Sequence, residues 1–391
     1  MTPAARVQAA IEVLDLAIAA AGSRGAPADR IVAEWFRTRR FAGSKDRRAV
    51  RDLLFRAIRA CGPLPPSGRA AMLRLAQEDS TIAALFDGSR HAPEPIHAGE
   101  PVAEGGCAPA WLERRLAASD IVGEELTALL GRAALDLRIN TLRGLEPVLP
   151  EPGEPTQARL GLRFPAGTQV EQWDAWLCGA VEVQDTASQL ACEVLGAQPG
   201  ETVIDLCAGA GGKTLALAAA MDNRGRLIAC DVDRARLSRL APRAERAGAA
   251  IIETRLLDPG RESAALDDLH GAADAVLVDA PCSGSGTWRR NPEARWRLDE
   301  AELARTRAIQ QRVLELGASL VRPGGRLLYV VCSLLDEEGA DPVERFLAAH
   351  PDWRAEPPAL AAGRPRGQGL RLTPHYDGTD GFFVARLVSP C

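Results

Sequence analysis

Residues 201–221 read ETVIDLCAGAGGKTLALAAAM: a short apolar run, a glycine-rich turn and a run of helix formers. Val203 and Ile204 are β-branched and lead into an acid, Asp205, as at the end of a buried strand, whereas Leu215 to Ala220 have helical composition. Between them Gly209, Gly211 and Gly212 let the backbone turn sharply and approach a ligand closely. The spacing is not that of a dinucleotide loop, because GxGxxG counted from Gly209 requires glycine where Thr214 stands.

The same grammar repeats on the C-terminal side. GRLIACDVDRARLSRLAPRAERAG (225–248) is strand, acid and helix; IIETRLLD (251–258), DAVLVDAPCS (274–283) and GGRLLYVVCS (324–333) supply further strands, with a helical pattern between about 300 and 320. Alternating strands and helices predict an α/β fold with a doubly wound sheet, which binds ligands beyond the carboxyl ends of its strands. Asp231, Asp258, Asp279, Cys282 and Cys332 all stand at such ends. The D-x-x-x-G-x-G turn from Asp205 to Gly211 suits an adenosyl-amino-acid cofactor that has no phosphate to cradle. Asp231, 26 residues after Asp205, stands where a ribose-binding acid belongs. Asp258 is placed to meet an adenine amino group, with a helix cap as the alternative reading. Only Lys45 and Lys213 among 47 basic side chains are lysine, so Lys213 marks a place where a compact ammonium is needed.

The chain of 391 residues, 46% hydrophobic and 25% charged, is long enough for two or three packed domains. No stretch of about 20 apolar residues occurs, and Glu12 and Asp15 interrupt the first apolar segment, unlike a signal peptide. Nine cysteines without a CxxC pair and five scattered histidines predict neither a disulfide framework nor a metal site. The expected location is a reducing cytoplasm. Net charge is −5, yet Arg24 to Arg59 holds eleven basic residues against four acids. That excess can dock a polyanion or form a solvated helix face. Helices are expected over 5–22 and over 45–60, the second capped by Ser44 with Leu53, Leu54 and Ile58 buried. Residues 88–110 read as a linker, followed by a helix-like PAWLERRLAASD and a strand-like LDLRINTL. The expected domains are a helical 1–104, a small α/β segment 105–180 and the sheet domain 181–391.

LRINTL, VQDTASQL, DLCAGAGGKT, DAPCSGSGTWRRNPEARW, VVCSLLDEEG and DGTDGFFVARL follow one another between residues 137 and 388. Together they resemble the RNA cytosine-5 methyltransferases of the Sun or RsmB type, whose bacterial members modify small-subunit ribosomal RNA. The basic helical front is similar to a NusB-like RNA-binding domain. The resemblance implies a Rossmann-like sheet that binds S-adenosylmethionine through Cys207, Ala208, Gly209, Ala210, Gly211, Gly212, Lys213, Asp231, Asp258 and Asp279, with Cys332 as nucleophile and Cys282 as second catalytic thiol. It departs from the family at Ala210, where proline is frequent, and at Val331, where threonine is frequent.

Two thiols and an acid suit that chemistry. Cytosine C5 is too weak a nucleophile until a thiolate adds at C6, and the Asp279 carboxyl group is then suited to serve the charge developing at N3. The C5 proton must leave afterwards, a step Cys282 can serve. Either cysteine alone reads more readily as an inert buried thiol. The expected partner is RNA, ribosomal and single-stranded or looped at the target, since the base must leave its stack. Arg37, Arg39, Arg40, Arg47, Arg48, Arg289 and Arg290 are the expected phosphate contacts. A monomer is favoured. The alternatives are a transfer-RNA enzyme and a non-catalytic RNA-binding assembly factor.

Overall fold

A computed structural model describes residues 1–23 and 25–391, leaving Arg24 of the basic run outside the described residues. Two compact units result: Met1–Gly131 with Thr287–Asp299, and Arg132–Gly286 with Glu300–Cys391.

The first unit is helical: α1 (Pro3–Gly22), α2 (Ala28–Arg37), α3 (Ser44–Ala60), α4 (Gly68–Glu78), α5 (Ser80–Ala83), α6 (Ala110–Ala118) and α7 (Gly123–Ala128). Thr2 starts α1, its hydroxyl accepting from Ala5 N at 3.1 Å ahead of a first-turn proline. Val7, Leu14, Val50, Leu54, Ile58 and Met72 fill the core. Each fully buried aliphatic side chain contributes about 1.5–3 kcal/mol. Ser44 does not cap α3: it is the first helical residue, and Gly43 occupies the cap position without a side-chain bond. Leu53 lies at the edge of the stripe, half-buried, while Leu54, Ala57 and Ile58 face inward. Residues 287–299 belong to this unit because their polar groups finish its helices. Arg295, fully buried, donates to the Ile58 and Cys61 carbonyls at 2.7 Å, at the end of α3. Glu293 Oε1 accepts from Ala28 N at 2.9 Å, the first N–H of α2.

The second unit contains, in order, β1 (Leu135–Ile139), β2 (Glu154–Pro155), β3 (Gly161–Phe164), α8 (Asp174–Leu177), β4 (Val181–Val183), α9 (Thr186–Leu195), β5 (Thr202–Asp205), α10 (Gly212–Ala220), β6 (Arg226–Asp231), α11 (Arg234–Leu237), α12 (Leu240–Ala247) and β7 (Ile252–Leu256). It continues through β8 (Ala273–Asp279), α13 (Glu300–Leu320), β9 (Val321–Val331), α14 (Ala340–Ala349), β10 (Arg354–Glu356), β11 (Arg364–Arg366), β12 (Gly369–Leu372), α15 (Pro374–Asp377) and β13 (Phe382–Val388). Strands β5 to β9 pair in parallel, and β13 closes antiparallel on β9. The strand order is β11-β12-β13-β9-β8-β5-β6-β7, with β10 on β13. Strand order therefore reverses between β5 and β8, where such sheets open a crevice at their carboxyl edge. Val276, Leu277 and Val278 are fully buried in the middle of this sheet.

A smaller antiparallel sheet, β2-β3-β1-β4, is stitched to the larger one by buried polar groups. Asp136, 1% exposed, accepts from Thr186 N at 3.1 Å and Oγ1 at 2.7 Å at the start of α9. Asn140 donates to the Ala247 carbonyl at 2.8 Å. These bonds put 132–180 in the same compact unit as the large sheet, whereas α6 and α7 lie in the helical unit, so the compact units do not follow the expected boundaries at 104 and 180. Among the described residues no helix is long and apolar enough to cross a membrane, and no group of three His, Cys, Asp or Glu is arranged to hold a metal.

Candidate active site

The glycine turn joins β5 to α10 at the carboxyl edge. Gly211 has φ +84°, and a Cβ there would lie 2.1 Å from Leu240 Cδ1, so both the backbone and the packing require glycine. Asp231, 6% exposed at the end of β6, holds the turn: Oδ2 accepts from Gly209 N and Oδ1 from Asp233 N, both at 2.7 Å. Ala208 N donates to the Cys230 carbonyl at 2.8 Å, and Arg243 Nη1 to the Ala210 carbonyl at 2.6 Å. Where a Cβ on Gly212 would point, nothing lies within 4 Å. Asp258 stands exposed just past β7, its carbonyl accepting from Arg261 N at 2.9 Å.

Beneath the turn, Asp205 is 1% exposed and accepts from Thr214 Oγ1 at 2.6 Å, while its Oδ1 has no hydrogen-bond partner among the described residues. Burial pushes its carboxyl up to about 7. Lys213, in the first turn of α10, donates to Asp279 Oδ2 at 2.6 Å and lies 5.4 Å from the centre of the Phe382 ring. Burial alone would lower the ammonium, but the Asp279 carboxylate outweighs it and holds Lys213 above the usual lysine range. Burial also pushes the thiols of Cys207, Cys192 and Cys230 up, as expected of packing residues.

Strands β8 and β9 are adjacent and parallel, with Asp279 opposite Val330, so the residues that follow emerge side by side. Cys282 Sγ lies 3.4 Å from Cys332 Sγ, and both thiols are free. The neighbouring Cys332 sulfur, followed by burial, pushes the Cys282 thiol well above its ordinary range. Ser283, Ser285 and Ser333 share hydroxyl contacts at 3.2 and 3.1 Å, and Gly286 N donates to the Cys332 carbonyl at 3.0 Å. A Cβ on Gly286 would stand 2.0 Å from the Gly381 carbonyl oxygen, so the DAPCSGSG and DGTDGFF segments meet backbone to backbone. Thus Asp231, the glycine turn, Asp279, Cys282 and Cys332 lie along one edge, in the sheet order β6, β5, β8, β9.

The expected RNA contacts lie in the helical unit. Arg37, Arg40, Arg47 and Arg48 are exposed, and Arg39 stacks 3.8 Å above the Trp35 ring. Asp46 is turned inward, paired with the N-terminus at 3.2 Å and Arg6 at 2.9 Å, while Arg37 pairs with Glu34 and Arg39 lies 3.6 Å from Glu12. Arg289 and Arg290 also belong to this unit, half-buried.

The sequence reading missed Asp205 as a buried acid and Lys213 as the partner of Asp279. The signal for the first was Thr214 nine residues on, in the first turn of the helix that follows the strand; nothing local signals the second.

Ribosomal RNA small subunit methyltransferase B of Thermus thermophilus is 40% identical to this chain over 212 residues, 53% of this chain, which spans half of that relative's length. The crystal structure of PH0851 superposes with a TM-score of 0.78 at 27% identity, covering 99% of both chains. NSun6 from Pyrococcus horikoshii, solved with SFG, gives a TM-score of 0.52 at 26% identity over 58% of this chain and 60% of that one. Residues 192–388 match the family described as 16S rRNA methyltransferase RsmB/F, and the chain belongs to that family.

Proposed function

We propose that this protein is an S-adenosylmethionine-dependent RNA methyltransferase that modifies C5 of a cytidine, in small-subunit ribosomal RNA, through a covalent adduct with Cys332. The observation that carries the reading is the 3.4 Å approach of Cys282 and Cys332 at the ends of adjacent strands, on the sheet edge that also bears the glycine turn.

The residues present fit the cofactor. The turn offers open space at Gly212, Asp205 presents a buried oxygen without a partner, and Asp231 ends the next strand. The one cation in the turn, Lys213, is engaged by Asp279 and does not form a phosphate cradle. Residues 207 to 213, Asp231, Asp258 and Asp279 would hold the cofactor, which when bound supplies an electrophilic methyl group.

The protein's own groups perform the remaining work. Cys332 adds as thiolate to C6, which breaks the aromaticity and places carbanion character on C5. The Lys213–Asp279 pair shares a proton toward N3, where negative charge develops. The same step converts the Cys332 sulfur from a thiolate to a neutral thioether. The charge and hydrogen bond that hold Cys282 high are thereby removed. With that charge gone Cys282 can give its proton to solvent, and the resulting thiolate takes the C5 proton as the C6–S bond breaks, which releases Cys332 as thiolate and restores the aromatic ring. The basic face of the helical unit docks the RNA backbone.

Bisulfite sequencing of total RNA from cells with and without the gene tests this reading. One small-subunit cytidine that resists conversion only when the gene is present is expected. Identical profiles would support a non-catalytic RNA-binding factor, and a lost signal in transfer RNA would move the substrate.

A further inference from the structure

Glu338 lies six residues beyond Cys332, and it is fully buried. Its Oε1 accepts from Ser283 N at 2.9 Å, Gln310 Nε2 at 3.0 Å and Thr306 Oγ1 at 3.1 Å. Its Oε2 accepts from the Ser283 hydroxyl. Gln310 also donates to the Pro281 carbonyl at 2.8 Å, and Tyr329 Oη donates to the Glu338 carbonyl at 2.7 Å. One carboxylate therefore ties together the loop on either side of Cys282, the segment that follows Cys332, and helix α13. A buried carboxylate is costly unless its lone pairs are filled, and four donors from two elements fill them here. Ordinary loop packing does not require this charge, since an apolar contact would close the same gap at less cost.

We propose that Glu338 is a positioning residue for the thiol pair, holding the Cys282 loop against the Cys332 segment so that the second thiol stays in reach of the first. This rests on the roles given to the two thiols above.

The test compares the parent, Cys282→Ala, Glu338→Gln and Ser283→Ala, each incubated with S-adenosylmethionine and an in vitro transcript of small-subunit ribosomal RNA. Glu338→Gln keeps the side-chain shape but loses the charge and one acceptor. It is expected to bind S-adenosylmethionine within about two-fold of the parent while turnover falls by about ten- to a hundred-fold, the range for bonds to a charged group. It should accumulate the covalent protein–RNA species that Cys282→Ala accumulates. Pulse alkylation read by mass spectrometry should label Cys282 faster than in the parent, with Cys332 little changed. Ser283→Ala removes one donor and should shift each readout less in the same direction. A folded Glu338→Gln with parental turnover and no adduct overturns the proposal, as does a loss of turnover matched by an equal loss of cofactor affinity. If Glu338→Gln does not fold, Ser283→Ala decides: adduct accumulation supports the proposal and its absence overturns it. If Cys282→Ala itself gives no adduct, the assignment of the thiols fails instead, and unchanged relative labelling of the two cysteines then overturns the positioning role on its own.

Discussion

Lys213 Nζ stands 2.6 Å from Asp279 Oδ2, joining the helix after the glycine turn to the end of the strand that leads to Cys282. This pair explains why lysine stands at 213 in a chain whose one other lysine is Lys45. The Lys213 side chain is 10% exposed and reaches past the Phe382 ring, leaving little room for a planar guanidinium. Lys213→Arg should lower stability by about 1–3 kcal/mol, the usual cost of overpacking, and should reduce turnover by displacing Asp279. Urea unfolding and initial rates check this; parental values for both would show that any cation serves.

Asp231 binds the backbone of the turn through both oxygens, so it holds the shape of the turn in addition to the cofactor contact proposed for it. Asp231→Ala should weaken S-adenosylmethionine binding by about 1.5–3 kcal/mol, roughly ten- to a hundred-fold. Calorimetric titration measures it directly, and unchanged affinity would remove Asp231 from the cofactor site.

The raised Asp205 carboxyl gives a stability prediction with a definite sign. Burial pushes it up to about 7, so between the ordinary aspartate value near ~4 and that point the folded chain keeps a proton that the unfolded chain has lost. Its contribution to stability therefore falls as pH rises through this window and levels off above it. Asp205→Asn cannot ionise and still offers an acceptor to Thr214. Relative to the parent it should gain stability progressively from pH 4 to 7 and no further. Urea unfolding at pH 5, 6 and 8 tests this, and a pH-independent difference would contradict it.

Charge-neutral replacement of Arg37, Arg39, Arg40, Arg47 and Arg48 should weaken RNA binding and flatten its dependence on salt, because fewer counterions are released. Cofactor affinity should stay the same. An equal salt slope in variant and parent would make the run a solvated face.

Much of the large sheet was legible because its signals are local. Asp205 through Lys213 carry strand, turn and helix start within ten residues, and apolar strands ending in Asp279 or followed directly by Cys332 announce the edge. What was not legible depends on distant partners. Ser44 looks like a cap, but capping requires the hydroxyl just before the helix, and Gly43 takes that place. Residues 287–299 read as a continuation of the Cys282 motif, although Arg295 completes α3, more than 230 residues earlier in the chain. Glu338 sits in the acidic run Asp336 to Glu338, where nothing in the sequence marks it for burial, and only the fold brings Ser283, Thr306 and Gln310 to it.

The most direct test of the account is denaturing electrophoresis of Cys282→Ala, Cys332→Ala and the double variant after incubation with substrate RNA and S-adenosylmethionine. Both single changes remove the same volume, so packing loss alone gives similar, merely reduced activity. With Cys332 adding to C6 and Cys282 promoting release, Cys282→Ala should give a slow-migrating protein–RNA species, absent from Cys332→Ala and from the double variant. Appearance of that species with Cys332→Ala instead, or its absence from both single variants, would contradict the assignment.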